Sequence, residues 1–252
     1  MTRLATLLAS SILLCSCASA GAEFAEQAGD SIDAVTVEAA LIVASMDGMS
    51  AGTTPEEAAN ASATNAAEFW TDGCFMWTID GASITYTMTA CAGPFGLTAV
   101  TGSVTITYRE TGSAYGFDIT ATDLMVGESS VSFMVSAEVS TDGRNVSVTT
   151  SGGAAGRRGH MITRDGSYEL RWNGSAQCAG IDGSWSTTVA GQSFTTAVTN
   201  WQRCANDCPA SGGSISYTGP NASIVVSYDG SNEASWTSAE GGSGSLGLLC
   251  GG

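Results

Sequence analysis

Lysine is absent from this chain of 252 residues: all eight basic residues are arginine, against 24 acidic ones, for a formal net charge of −16. A surface so poor in positive charge argues against nucleic acid or an anionic bilayer as a partner, because both are held chiefly by cations set against phosphate. Histidine occurs once, at His160, which leaves little material for a histidine-based catalytic or zinc site. Charged residues reach only 13%, yet hydrophobic residues make up 43%, so the composition is not that of a disordered chain. No apolar stretch beyond the first 14 residues is long enough to span a bilayer. No strict repeat is visible, and no pattern of helical length separates one strand-like stretch from the next, which argues against parallel βαβ folds. The length allows one large domain or two small ones.

What is present begins with an export signal. Met1–Arg3 is a short positive start, and Leu4–Leu14 (LATLLASSILL) is an apolar run of signal-peptide length. Two processing sites compete. Ala18-Ser19-Ala20 fits small-x-small cleavage, whereas Leu14-Cys15-Ser16-Cys17 places an aliphatic residue and a small residue before a cysteine. The second resembles the lipobox of the bacterial lipoprotein signal family. The resemblance implies that residues 1–16 are removed as a signal peptide, that Cys17 is acylated and becomes the mature N-terminus, and that Cys15 leaves with the signal. Leu14, directly before Cys15, is not the small residue that the pattern needs. By the family's sorting rule Ala18, standing where aspartate would retain the protein, implies the outer membrane, at its periplasmic face or the cell surface. Acyl chains contribute about 0.8 kcal/mol per buried methylene, so a membrane anchor needs no spanning helix. Plain secretion is the alternative.

After the anchor the chain is Ala-rich. In "SIDAVTVEAALIVASMDGM" the residues Ile32, Val35, Ala39, Ile42 and Met46 recur at helical spacing, with Asp30 or Ser31 as cap and Asp47-Gly48 as stop. Thr54-Pro55-Glu56-Glu57 supplies an N-cap, a first-turn proline and a capping-box acid for a second helix ending near Phe69. From residue 71 the pattern changes to short Val/Ile/Thr/Tyr stretches punctuated by Gly. Val104, Ile106 and Tyr108 alternate with polar residues, as do Val131, Phe133, Val135, Ala137 and Val139, and then Tyr168, Leu170 and Trp172. Such alternation buries one face of antiparallel strands. Asp-Gly or Asn-Gly pairs at 72, 80, 142, 165, 173, 182 and 229 read as hairpin turns. The expected fold is mainly β, an antiparallel meander that is barrel-like or a sandwich, with two N-terminal helices. The organisation expected is a signal peptide (1–16), a lipid-anchored helical segment (17–70), an antiparallel β domain (71–211), and a C-terminal β segment (212–252) that "CPASGG" sets off as a possible lobe.

Six cysteines remain in the body: Cys74, Cys91, Cys178, Cys204, Cys208 and Cys250. An even number in an exported chain reads as three disulfides. Cys74 and Cys91 flank a hairpin and Cys178 and Cys204 flank another, leaving Cys208 to tether Cys250; exchanging Cys204 with Cys208 is the alternative. The spacing of Cys204 and Cys208 is wrong for a zinc knuckle. The closing stretch from Arg203 to Cys250 resembles uncharacterised cysteine-bearing envelope lipoproteins, which implies no activity.

Catalytic patterns are present but poorly supported. Gly48-Met49-Ser50-Ala51-Gly52 matches a nucleophile elbow, yet follows a helical pattern where a strand is required, and its only available base, His160, sits in what reads as an exposed turn beside Arg157 and Arg158. Gly242–Gly247 matches G-x-G-x-x-G with too few residues after it for a helix, and reads as a loop before the last strand. Asp118, Asp123, Glu128 and Glu138 are candidate glycosidase carboxylates only if two face each other across a cleft. Trp77, Trp172, Trp185, Trp201 and Trp236 are expected mostly in the core. The reading is a non-enzymatic, lipid-anchored envelope protein with a structural or binding role, no metal or cofactor, and a protein or glycan partner that the sequence does not name. Two alternatives are a carrier enclosing an apolar ligand and a surface glycan binder or hydrolase.

Overall fold

The computed structural model describes residues 16–46, 53–97, 99–111, 114–205, 207–220, 222–248 and 250, with side chains from residue 22 onward except at position 114. Residues 1–15 of the leader and residues 47–52, with the Asp47-Gly48 stop and Ser50, therefore lie outside the described residues, and of Cys17 only the backbone is described.

Helix α1 spans Ser16–Met46 and helix α2 spans Pro55–Phe69. The strands are β1 (Phe75–Asp80), β2 (Ser83–Cys91), β3 (Val100–Thr111), β4 (Ala114–Val126), β5 (Ser129–Val139), β6 (Asn145–Ala155), β7 (Met161–Asn173), β8 (Cys178–Val189), β9 (Gln192–Cys204), β10 (Ser214–Thr218), β11 (Ser223–Tyr228), β12 (Glu233–Ser238) and β13 (Ser243–Gly247). They form one antiparallel meander in which each strand pairs with the next and the order in space is the order in sequence. The two edges, β1 and β13, do not pair with each other, so the sheet is not closed into a barrel. Residues 212–252 supply β10 to β13, which join the sheet through the pairing of Ser214–Thr218 with Thr195–Thr199 of β9.

Alternation places the expected residues inside. Val104, Ile106 and Tyr108, the Val131-to-Val139 set, and Tyr168 and Leu170 are all buried on one face of the sheet. Against that face lies α1, which touches β6, β7, β8, β11 and β13, while α2 covers β1, β2 and β3. Phe24 near one end of α1 packs its ring 4.9 Å from Phe194 and 5.0 Å from Tyr217, and the Tyr108 hydroxyl donates to the Ser45 carbonyl near the other end (3.1 Å). The helix thus crosses the sheet from β9–β10 to β3.

Helix α1 differs from its sequence reading in two ways. It starts at Ser16 instead of near residue 30, so Asp30 and Ser31 are mid-helix residues and not caps. It is also buried all round: from Ala28 to Met46 every side chain but that of Ala44 is buried, including Asp30, Asp33 and Glu38. An amphipathic stripe describes a helix lying on a surface. A helix inside a curved sheet needs partners in every direction, and its acids find theirs in distant strands. Helix α2 follows expectation closely: the Glu57 amide donates to Thr54 Oγ1 (3.2 Å), the Thr54 amide donates to Glu57 Oε2 (2.9 Å), and Pro55 occupies the first turn.

Asp80-Gly81, Asp142-Gly143 and Asp229-Gly230 make the β1–β2, β5–β6 and β11–β12 turns, and Asn173-Gly174 opens the β7–β8 turn. Asp165-Gly166 and Asp182-Gly183, expected as turns, instead lie within β7 and β8. There Gly166 is paired with Trp185 and Gly183 with Tyr168. A Cβ on Gly183 would stand 2.5 Å from Tyr168 Cβ, and one on Gly166 2.5 Å from Trp185 Cβ. These two glycines make room on the concave face for the two large rings, whose centroids are 6.0 Å apart. Gly183→Ala and Gly166→Ala are each expected to lower stability by about 1–3 kcal/mol through overpacking, read as a fall in urea midpoint. Gly174→Ala, whose nearest contact would be at 3.4 Å, should change it by less than about 1 kcal/mol.

Candidate functional site

The chemistry-bearing side chains of the interior gather where the β6–β7 hairpin closes over α1. Asp30 and Asp33, one turn apart on the helix, share a face. The hairpin tip, Gly156-Arg157-Arg158-Gly159-His160, folds down onto them. Arg157 Nε donates to Asp33 Oδ2 (2.9 Å), and Arg158 Nη1 bridges Asp33 Oδ2 (2.8 Å) and Asp30 Oδ1 (3.1 Å). The Arg158 backbone amide adds a bond to Asp30 Oδ1 (3.2 Å), and His160 Nδ1 lies 2.9 Å from Asp30 Oδ2. Close approach is possible because residue 156 is glycine, where a Cβ would overlap the Asp30 carboxyl at 2.1 Å. The same two arginines donate to the Gly247 carbonyl of β13, through Arg157 Nη2 (2.7 Å) and Arg158 Nη2 (3.0 Å). One hairpin tip therefore joins the central helix to an edge strand of the sheet.

Two turns further along α1, Glu38 is fully buried and meets three donors from the sheet: Thr150 Oγ1 (2.8 Å) on β6, and Tyr168 Oη (2.5 Å) and Arg164 Nη2 on β7. The Arg164 guanidinium also lies 5.9 Å above the Trp185 ring. Removing water from carboxylates is costly, and it is tolerated here because each acid has an arginine and further hydrogen bonds.

Burial governs the tyrosines of the concave face as well. Desolvation pushes Tyr86 up to about 12, with its hydrogen bond to Ser62 opposing, and raises Tyr108, Tyr217 and Tyr228. Tyr168 is held well above its ordinary value, first by desolvation and then by the charge of Glu38. Burial pushes Arg203 down to about 10, with Asp33 opposing.

The other sequence candidates are dispersed. His160 is not in an exposed turn but is tucked against Asp30, its side chain 17% exposed, so it is already engaged. Gly242–Gly247 is not a loop before the last strand: residues 243–247 are that strand, β13. Asp118 and Glu138 both face Arg109, at 3.4 and 3.6 Å, on the outer face of the sheet. Asp123 Oδ1 accepts from the Ser132 hydroxyl (3.2 Å), and Glu128 lines a surface depression of about 190 Å³ together with Arg157. Trp185, Trp201 and Trp236 are buried and Trp172 is partly buried, whereas Trp77 is 47% exposed on edge strand β1 beside exposed Met76 and Ile79. A gap under α1 lined by Ile32, Val35, Trp185, Trp201, Ile181 and Ile215 measures about 10 Å³, because the helix fills the concave face.

Cysteines pair as Cys74–Cys91, Cys178–Cys204 and Cys208–Cys250. The first closes the β1–β2 hairpin, the second joins directly opposed residues of β8 and β9, and the third ties the loop after β9 to the end of the chain. Cys204 and Cys208 are thus both in crosslinks and unavailable to zinc. Three such bonds mark an oxidising, extracytoplasmic environment. Among the described residues no helix is long and apolar enough to cross a membrane. No family model matches the chain, no curated protein matches it, and no solved structure matches it.

Sequence reasoning read Asp30 as a helix cap and Tyr168 only as a strand residue, and passed over Asp33, Glu38 and Arg164. The signal that could have found them is three acids inside an otherwise apolar helical run, together with arginines placed in strand-like segments of a chain that has few cations. Arg158→Met leaves Asp30 and Asp33 short of charge in the interior, and is expected to cost about 3–5 kcal/mol in urea unfolding and to expose residues 155–161 to protease.

Alkaline pH should act through the tyrosines. Their folded-state values lie above the ordinary value of 10.0, so the neutral form is favoured by the fold. Their contribution is fully present below pH 10 and is lost as pH rises through the folded-state values, by about 1.4 kcal/mol per pH unit for each group. Tyrosinate absorbance is expected to appear in step with loss of circular dichroism, ahead of which only half-buried Tyr115 should ionise.

Proposed function

We propose that this chain is a lipid-anchored protein of the bacterial cell envelope, attached through Cys17 at the outer membrane, with a structural or binding role. The observation that carries this reading is the path of α1. Cys17 falls in the first turn of the helix whose residues from Ala28 to Met46 lie in the hydrophobic core. An acyl group there joins the membrane to the most buried element of the fold, without a flexible tether between the two. The three disulfides support an extracytoplasmic location, and a net charge of −16 favours a covalent lipid over electrostatic attraction to anionic headgroups.

The buried acids and bases serve in this reading to hold α1 within the sheet. Partner recognition in this reading belongs to the sheet surface. Secretion after cleavage at Ala18-Ser19-Ala20 is the second reading, since it uses the same leader.

Mass spectrometry of the mature N-terminus separates the two. Lipid anchoring predicts a peptide beginning at Cys17 and carrying acyl groups, and Cys17→Ser should move the protein out of the membrane fraction. An unmodified N-terminus at Gly21 would overturn the anchor and leave free secretion.

A further inference from the structure

The two edges of the open sheet are built differently. At β13 the one large side chain, that of Leu246, is buried, and the Gly247 carbonyl is tied down by two arginines. At β1, among the described residues, no strand lies beyond the edge. Met76, Trp77 and Ile79 are three of the seven large apolar side chains that the described residues expose, and no other strand carries more than one. Natural edge strands are blunted by lysine, by proline or by a bulge. β1 has none of these, and its six residues pair with β2 in unbroken register. The Thr89 amide donates to the Cys74 carbonyl, and narrow and wide pairs alternate along an antiparallel ladder, so the even-numbered residues of β1 are those bonded to β2. The N–H and C=O groups of Trp77 and Ile79 consequently point outward, along the free edge. Their side chains lie on the α2 side of the sheet, paired with Tyr86 and Ile84, and the Phe75 ring stands 5.8 Å from that of Trp77 and 6.1 Å from that of Tyr86. The edge thus offers backbone groups in strand spacing beside an aromatic shelf.

Charge decides what kind of strand fits. From residue 47 to residue 108 the sequence holds six acids and no cation. Of these, Asp72 and Asp80 bracket β1 and Glu68 closes α2; all three are exposed, and among the described residues none is in an ion pair. A second copy of this chain would set the same acids against themselves, and like charges across an interface work against pairing. We propose that β1 is the docking edge for an extended, cationic segment of another protein, which adds a strand to the sheet by main-chain hydrogen bonds to Trp77 and Ile79. Alternate apolar side chains of that segment cover Trp77 and Ile79, and lysine or arginine at its two ends meets Asp72 and Asp80. The inference rests on the binding role proposed above and names the class of partner for it. An acidic or neutral strand of the same apolar pattern would find the same backbone groups without the flanking attraction.

The test titrates the mature, disulfide-bonded protein into a fluorescent, end-capped peptide of alternating threonine and valine with a lysine at each end, read by anisotropy. Saturable binding is expected, and the same peptide with glutamate in place of the lysines should bind more weakly by about tenfold or more. Asp72→Asn with Asp80→Asn keeps both residues suited to their Gly-containing turns and should remove most of that difference. Ile79→Pro deletes an outward N–H while leaving the bonds to β2 in place, so the fold is retained and binding should fall by about tenfold or more. Hydrogen exchange resolved by residue gives a pattern that side-chain contact alone would not produce. The amides of Trp77 and Ile79 should slow by about tenfold or more when peptide is bound, whereas those of Met76 and Thr78 are already protected in the free protein. Absence of saturable binding, equal binding of the lysine and glutamate peptides, or unchanged exchange at Trp77 and Ile79 would each overturn the proposal. So would sedimentation of the protein alone as a dimer that Ile79→Pro dissociates, since the occupant of the edge would then be a second copy. The anchor is read at the mature N-terminus and not here, so its failure and that of the docking edge are told apart.

Discussion

The fold depends on neutralising three carboxylates that α1 carries into the interior. Asp30, Asp33 and Glu38 are met by Arg157, Arg158 and Arg164, all from the β6–β7 hairpin. Without those arginines the helix would be too polar to occupy the concave face, and without the helix the curved sheet would have no second layer on which to close its core. The pairing also fixes register, since an acid displaced by one residue along α1 would rotate about 100° away from its partner. A core made only of alanine, valine and leucine against valine and isoleucine would offer many near-equivalent helix positions. The ion pairs select one.

The same network reaches beyond the helix. By donating to the Gly247 carbonyl, Arg157 and Arg158 tie the last strand to the hairpin tip across α1. An open sheet has two edges that invite further pairing. At β13 the restraint comes from arginines and from the nearby Cys208–Cys250 bond, whereas β1 is restrained by the Cys74–Cys91 bond and presents Met76, Trp77 and Ile79 to solvent.

Much of this architecture was legible in the residues. Strand alternation is a local signal of period two, and Val131 to Val139 carries it without interruption. The capping box of α2 lies within four consecutive residues, and the geometry of neighbouring strands suggested Cys74–Cys91 and Cys178–Cys204, whereas Cys208–Cys250, 42 positions apart, was only what remained, with an exchange of Cys204 and Cys208 left open. The buried network was not legible for the opposite reason: its partners stand 112 to 130 positions apart, and nothing local marks Asp30 as an interior acid instead of a helix cap. Asp182-Gly183 shows a second limit. The dipeptide that turns a chain at Asp142-Gly143 also serves in mid-strand, where absence of a side chain is what Tyr168 requires, and only the cross-strand neighbour distinguishes the two uses.

The order of the crosslinks along the chain bears on how the protein is made. Cys74 with Cys91, Cys178 with Cys204, and Cys208 with Cys250 are successive pairs, none nested within or threaded through another. A polypeptide entering an oxidising compartment from its amino end presents each thiol to the one that emerges next, so a catalyst that simply joins consecutive cysteines would yield the native set. Maturation of this sheet then calls for an oxidase and not for an isomerase to reshuffle errors.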